Sequence, residues 1–340
     1  MPSVAFSKLV PGGNTTIILT GSSLGPEELS SVSAELMHPL HVQAEQVGAL
    51  LVRGPMPHLQ MMGGEFCVNA TRSAALLLAR SNRLRPLDDS DCFYGQITVS
   101  GMAPAVDILV SRNEDSLDRL LKDIVSASVS LDDVSGKGTA KPSDDLAHAT
   151  RLFCAARMDC GAGGTRRVDV DSGICLMHLP GISHLLLDAR QHPMPPQWRK
   201  ATTEWRNKAG LGNAPASGVV WYERQEDSYR IWPAVEVRAT ASEHLETACG
   251  SASMAIALMH QADSAAFAGE SLEFDGLSAP LPASSNHNEE PEPLAIIQPS
   301  GESLAVTLQY GPAGISGQTL PAHAWVSGLV SLVAEGTAHV

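Results

Sequence analysis

Two cysteines occupy matched places in two similar stretches of this 340-residue chain, one stretch in each half. When Glu65-Phe66-Cys67-Val68-Asn69-Ala70-Thr71-Arg72 is laid on Thr247-Ala248-Cys249-Gly250-Ser251-Ala252-Ser253-Met254 with the cysteines superposed, alanine recurs three positions on, as Ala70 and Ala252. It recurs again eight positions on (Ala75, Ala257), and leucine nine positions on (Leu76, Leu258). Small polar residues also match, Asn69 with Ser251 and Thr71 with Ser253. The pattern reads as an internal duplication in which each cysteine opens a helix rich in alanine and leucine. First-turn N–H groups have no partner within their own helix, so they can hold an anion such as an α-carboxylate. The same positive end is expected to lower a thiol's pKa. Two such ends facing one another place a thiol on each side of a bound Cα. One thiol can then remove a proton while the other delivers one to the opposite face.

The elements needed to position those helices are legible in outline. Thr15 to Thr20 and Val47 to Val52 read as strands, as do Gln96 to Val99 and Ala105 to Val110. A helix start is expected at Gly25-Pro26-Glu27-Glu28, with proline in the first turn and acids favoured by the helix dipole. Leu117, Leu120, Leu121 and Ile124 recur at helical spacing. In the second half, Trp198, Ala201 and Trp205 share a helical face. Val219 to Glu223 and Tyr229 to Ala239 read as strands, and Cys249 to Gln261 as a helix. Two soft segments interrupt this mixture. Residues 129–145 are polar and rich in turn formers, which predicts a linker, and Gly276 to Pro293 is a proline-rich surface insertion ending in acids.

Composition narrows the partners. Thirty-seven acidic against 23 basic residues give a net charge of -14, which disfavours nucleic acid and anionic membrane surfaces. No stretch approaches eighteen apolar residues and Met1 opens no secretory pattern, so a soluble cytoplasmic protein is expected. Six cysteines are too sparse for a disulfide framework. Cys175, inside an apolar run, is expected to be core, and the spacing of Cys154, Cys160, Cys175 and His178 fits no structural zinc pattern.

Three places in the sequence carry a family resemblance. Cys67-Val68-Asn69 resembles a Cys-Gly-Asn motif, and Glu246-Thr247-Ala248-Cys249-Gly250-Ser251-Ala252 resembles Glu-Thr-x-Ala-Cys-Gly-Ser-Gly. Phe6-Ser7-Lys8-Leu9-Val10-Pro11-Gly12-Gly13-Asn14 is similar to the N-terminal strand and substrate-binding asparagine of the same group. Together they resemble the diaminopimelate epimerase family of amino-acid racemases that use no pyridoxal phosphate. Within it the likeness is nearest to histidine racemases of opine (staphylopine-type) metallophore pathways, through the Phe6-Ser7-Lys8 start, Glu45-Gln46-Val47-Gly48, Glu65-Phe66-Cys67 and Val99-Ser100-Gly101.

The resemblance implies an α/β fold with mixed sheets, in which two pseudo-symmetric domains each wrap a sheet around a central helix. Residues 1–128, rejoined by a last strand at about 321–340, would form one domain and residues 146–320 the other, with the active site between them. It further implies that Cys67 and Cys249 are catalytic, that Val68, Asn69, Gly250 and Ser251 bind the carboxylate through their N–H groups, and that Asn14 and Glu45 serve substrate binding. No cofactor and no metal are implied. The expected partner is a small-molecule amino-acid substrate, and a homodimer is compatible with the family. Histidine is the first substrate expected. Diaminopimelate is disfavoured, because the region ahead of Cys249 reads Arg238-Ala239-Thr240-Ala241-Ser242-Glu243-His244 and lacks the Glu-Arg-Gly run of true diaminopimelate epimerases. Val68 in place of glycine narrows the floor of the site. An isomerase of unsaturated carboxylic acids on the same fold is the rival from another reaction class. The cysteine pair argues against it, and a non-catalytic amino-acid-binding module is opposed by the same pair.

Overall fold

The computed structural model describes residues 3–21, 24–54, 56–87, 91–103, 105–127, 146–160, 165–238, 242–267, 292–310 and 321–340. The expected linker at 129–145 and nearly all of the expected insertion at 276–293 lie outside those residues.

The first half begins with β1 (Ser3–Pro11), antiparallel to β2 (Thr16–Thr20), which runs parallel to β3 (Gln46–Leu51). Next, β3 pairs antiparallel with β4 (His58–Met61), and β4 lies parallel to β6 (Cys92–Val99), which also takes the short β5 (Arg85–Pro86) on its edge. Then β6 pairs antiparallel with β7 (Val106–Ser111), and β7 with β8 (Arg151–Asp159). The second half repeats these steps in the same order. β10 (Ile174–Leu179) is antiparallel to β11 (Ile182–Asp188), β11 is parallel to β12 (Ala216–Arg224), and β12 is antiparallel to β13 (Ser228–Val237). From there β13 is parallel to β15 (Leu294–Ile297), β15 antiparallel to β16 (Ser303–Tyr310), and β16 antiparallel to β17 (Pro321–His339). β9 (Arg166–Asp171) adds to β10, and β14 (Ser242–Leu245) to β13. The two pseudo-symmetric ladders bear out the mixed α/β fold expected from the sequence.

β17 joins the halves. Its first part pairs with β16 and β8, and its last part, Val330 to His339, pairs with β1. With β8 and β17 in place, the first half closes into a ring: β1, β2, β3, β4, β6, β7, β8, β17 and back to β1.

Helix positions repeat as well. α1 (Pro26–Met37) and α4 (Trp198–Lys208) each connect the first parallel pair of their ladder, and α3 (Glu114–Ala127) follows β7. α2 (Val68–Arg80) and α5 (Gly250–Phe267) each connect the second parallel pair. Every residue of α2 from Val68 to Ala79 is buried, because the ring surrounds it. A helix in that position must be apolar or small all round, and its alanine and leucine content satisfies this. Arg72 is the exception. Its guanidinium is fully buried and donates to the carbonyls of Cys154 in β8 (3.1 Å) and Leu329 in β17 (3.3 Å), which ties the central helix to the pair of strands shared by both halves. Burial pulls its pKa down to about 10, which still leaves it charged at neutral pH.

Candidate active site

Cys67 is the N-cap of α2. Its backbone is extended (φ -131°, ψ 113°), and its sulfur accepts the N–H of Ala70 at 3.4 Å. A thiol here does what serine or aspartate does at most helix starts. Cys249 stands immediately before α5, in contact with the N–H of Ala252 at the same offset of three. The two helix starts face one another across a single cleft, lined by Cys67, Val68 and Asn69 from one and by Cys249, Gly250 and Ser251 from the other. An ideal Cβ placed on Gly250 falls 2.7 Å from the Cβ of Val68, so the valine fits on one side only because glycine stands on the other.

Polar walls come from Gln46, Glu65 and Glu246, and apolar ones from Phe66, Ile182, Ala216, Val235 and Val237. No lysine or arginine lines the cleft among the described residues. Its positive features are therefore the two helix starts. Burial raises the Glu65 carboxyl, one oxygen of which has no hydrogen-bond partner among the described residues. Glu246 is pushed up to about 8, chiefly by burial and also by the neighbouring Glu45 and Glu65, while its contact with Cys249 opposes the rise.

The thiols differ from expectation in one respect. Both are pushed above the ordinary cysteine range, mainly by burial, with nearby carboxylates adding to the effect and the helix N–H groups opposing it. Desolvation of a thiolate set into the cleft outweighs the helix end. Consistently, the Cys67 S–H donates to Gln46 Oε1 at 2.7 Å. Cys249 lies 3.4 Å from Ser251 Oγ, which is 2.9 Å from His184 Nε2.

Asn14 and Glu45 stand behind the cleft. The fully buried Asn14 accepts from Gln46 Nε2 (2.5 Å) and Thr16 Oγ1 (3.0 Å), and its amide donates to Glu45 Oε2 (3.0 Å) and the Ala248 carbonyl (3.4 Å). Glu45 accepts the Thr247 N–H (3.1 Å) and hydroxyl (2.5 Å), and Asn69 Nδ2 also donates to Ala248 O, at 2.9 Å. Three residues of the first half thus hold the segment that presents Cys249. Sequence reasoning did not find Gln46, His184 or Gln298. Gln298 Oε1 receives the Cys249 N–H at 2.9 Å. Gln46 stands inside the quoted Glu45-Gln46-Val47-Gly48 segment but is given no role there, and His184 and Gln298 sit in ordinary strand and turn sequence that gives no signal.

Comparison with known proteins shows what this chain is similar to. Residues 3–139 match the family model described as the histidine racemase CntK N-terminal domain. A histidine racemase from Fusobacterium nucleatum is 37% identical over 131 residues, covering 38% of this chain and 46% of that protein. One from Staphylococcus aureus is 41% identical over 86 residues, covering 24% and 31% respectively. The chain therefore spans less than half the length of the curated relatives it matches. Solved structures that share the fold include a hydroxyproline epimerase from Agrobacterium vitis, with TM-score 0.56, 10% identity, and coverage of 99% of this chain and 92% of that one. A PhzF-family phenazine biosynthesis protein from Bacillus anthracis gives TM-score 0.56 at 10% identity over all of both chains. A predicted epimerase from Pseudomonas aeruginosa gives 0.52 at 13% identity over 99% of each. These matches bear out the resemblance read from the sequence.

Proposed function

We propose that this chain, similar through its first 139 residues to histidine racemases, is a cofactor-independent amino-acid racemase that uses Cys67 and Cys249 as its two acid/base groups. One observation carries the reading: the two cysteines stand at equivalent points of the repeated ladder, at the starts of two helices that open into one cleft. In this reading the α-carboxylate of the substrate lies across the N–H groups of Val68, Asn69, Gly250 and Ser251, where the first helical turns leave donors free. Cα then sits between the sulfurs. One thiolate takes its proton while the opposite thiol supplies another, so both enantiomers are substrates and products. A bound zwitterion brings its ammonium charge into the cleft, which offsets the burial that keeps the thiols protonated.

Histidine is the substrate we assign. The named relatives support it, and so does a cleft wall whose two carboxyls, with no cation beside them among the described residues, can accept from a side chain carrying an N–H donor and offer no positive partner to an acidic one. The second carboxylate of diaminopimelate would meet that same wall. We take residues 1–128 with 321–340 as one catalytic half and 146–320 as the other, with β8 lent to the ring of the first.

The test is proton exchange. Incubated with L-histidine in deuterated buffer without pyridoxal phosphate, the protein should put deuterium at Cα and generate D-histidine. No Cα exchange with any amino acid would overturn the racemase reading, and exchange that spares histidine would overturn the substrate.

A further inference from the structure

His184 lies in β11, opposite Gly218 of β12 in the parallel ladder. An ideal Cβ on Gly218 would fall 2.2 Å from His184 Nδ1, so glycine at 218 makes the room that the imidazole occupies. The ring is fully buried. Its Nε2 meets Ser251 Oγ at 2.9 Å, and Ser251 Oγ meets the Cys249 sulfur at 3.4 Å. Its Nδ1 has no hydrogen-bond partner among the described residues.

That orphan atom decides the direction of the chain. A buried N–H without an acceptor is costly and rare, whereas an unmet acceptor is better tolerated. The proton therefore sits on Nε2 and points at Ser251. With its oxygen occupied as an acceptor, the Ser251 hydroxyl turns its own proton toward Cys249. A sulfur receiving that hydrogen bond is better stabilised as the thiolate than as the thiol. Burial pushes the imidazole's pKa down to about 3, so the ring stays neutral, and the unpartnered Nδ1 is what selects the tautomer.

We infer that His184 is a positioning residue which, by fixing the direction of the Ser251 hydroxyl, aims a hydrogen bond at the sulfur of Cys249. The inference rests on the reading of Cys249 as an acid/base thiol, but it has readouts independent of turnover. No proton leaves His184 at any step. Among the described residues Cys67 has no equivalent: its sulfur donates to an amide oxygen, so the two thiols are tuned by different devices.

The experiment compares His184→Gln, whose terminal amide can reach the place of Nε2, with His184→Asn, which ends near Nδ1 and falls short of Ser251. Alkylation of Cys249 by iodoacetamide at fixed pH, read peptide by peptide by mass spectrometry, should slow about tenfold in His184→Asn and in Ser251→Ala, the order expected for losing one hydrogen bond to a charged group. Cys67 alkylation should hold steady, and His184→Gln should recover most of the loss. Adding His184→Asn to Ser251→Ala should cost nothing more, because both act through one hydroxyl. Equal slowing of Cys67, failure of Gln to rescue, or an additive double variant overturns the inference. Should His184→Asn not fold, imidazole nitrogen NMR of the intact protein decides instead: the Nε2–H tautomer is expected, and Nδ1–H overturns it. Normal Cys249 reactivity in both His184→Asn and Ser251→Ala likewise overturns it, whereas absence of Cα exchange in the unaltered protein together with the expected slowing of Cys249 alkylation would count against the racemase reading rather than this one.

Discussion

Cys67 and Cys249 begin equivalent helices of a repeated ladder, yet their neighbours have diverged. Cys67 gives its proton to the neutral amide of Gln46. Cys249 instead touches a carboxyl, Glu246, and the hydroxyl of Ser251. Opposing the two across the cleft, Val68 fills the space that Gly250 leaves. Duplication thus preserved the backbone geometry that offers helix N–H groups, while the groups that set each thiol's proton affinity differ. A catalyst that works on both enantiomers needs two bases in mirror-related places, but the two need not be chemically alike.

The largest effect expected is loss of either thiol. Cys67→Ser and Cys249→Ser should each lower racemisation by about 10²–10⁴-fold, the range for removing one general acid/base group. A serine hydroxyl is too weak an acid to supply the anion at neutral pH. Enantiomer conversion followed by circular dichroism measures this, and a single variant retaining more than a hundredth of the rate would remove the two-thiol mechanism.

Next comes the contact that lets the helices approach. Gly250→Val should set two branched side chains against each other and destabilise the fold by about 1–3 kcal/mol through overpacking. Combining it with Val68→Gly should restore most of that stability in urea melts. No recovery would mean that the halves are not interchangeable at this point.

The smallest effect concerns charge. Because the Glu246 carboxyl titrates near 8 in the folded protein and near 4.5 once exposed, the folded state binds the extra proton between those values. Stability from this group is complete below about pH 4.5 and is lost as pH rises through about 8. Glu246→Gln should therefore flatten the fall in melting temperature between about pH 5 and 8, and should also speed alkylation of Cys249 more than of Cys67. A wild-type melting curve as flat as the variant's would refute the assignment.

Several elements of this fold were open to reading from the chain alone. Pro26 with Glu27 and Glu28 announces α1 because proline and acids suit a first turn, and α1 starts there with Gly25 as N-cap. Leu117, Leu121 and Ile124 mark the buried face of α3 through helical spacing. The Cys67 and Cys249 segments betray the duplication because a helix start set into a cleft tolerates few residue types. Other features had no local signature. His184 reads as one polar residue in a strand, and only the space left by Gly218 on the neighbouring strand lets it reach Ser251. Asn14 and Glu45 drew attention as substrate ligands. In the structure their side chains hold Thr247 and Ala248, a contact between residues more than 200 positions apart.

By itself the sequence determined what is periodic or short-range: which segments are strands or helices, that two halves correspond, and that a thiol opens each central helix. Those follow from side-chain size, backbone preference and the chemistry of a helix end, all expressed within about a dozen residues. Tertiary structure decided the rest. The return of the last strand to the first half was implied by the family resemblance and not by any local pattern; tertiary structure also buried Arg72 among the carbonyls of β8 and β17 and raised both thiols instead of lowering them. Proton affinity depends on how completely water is excluded and which charges stand nearby, and both depend on residues brought together from across the whole chain.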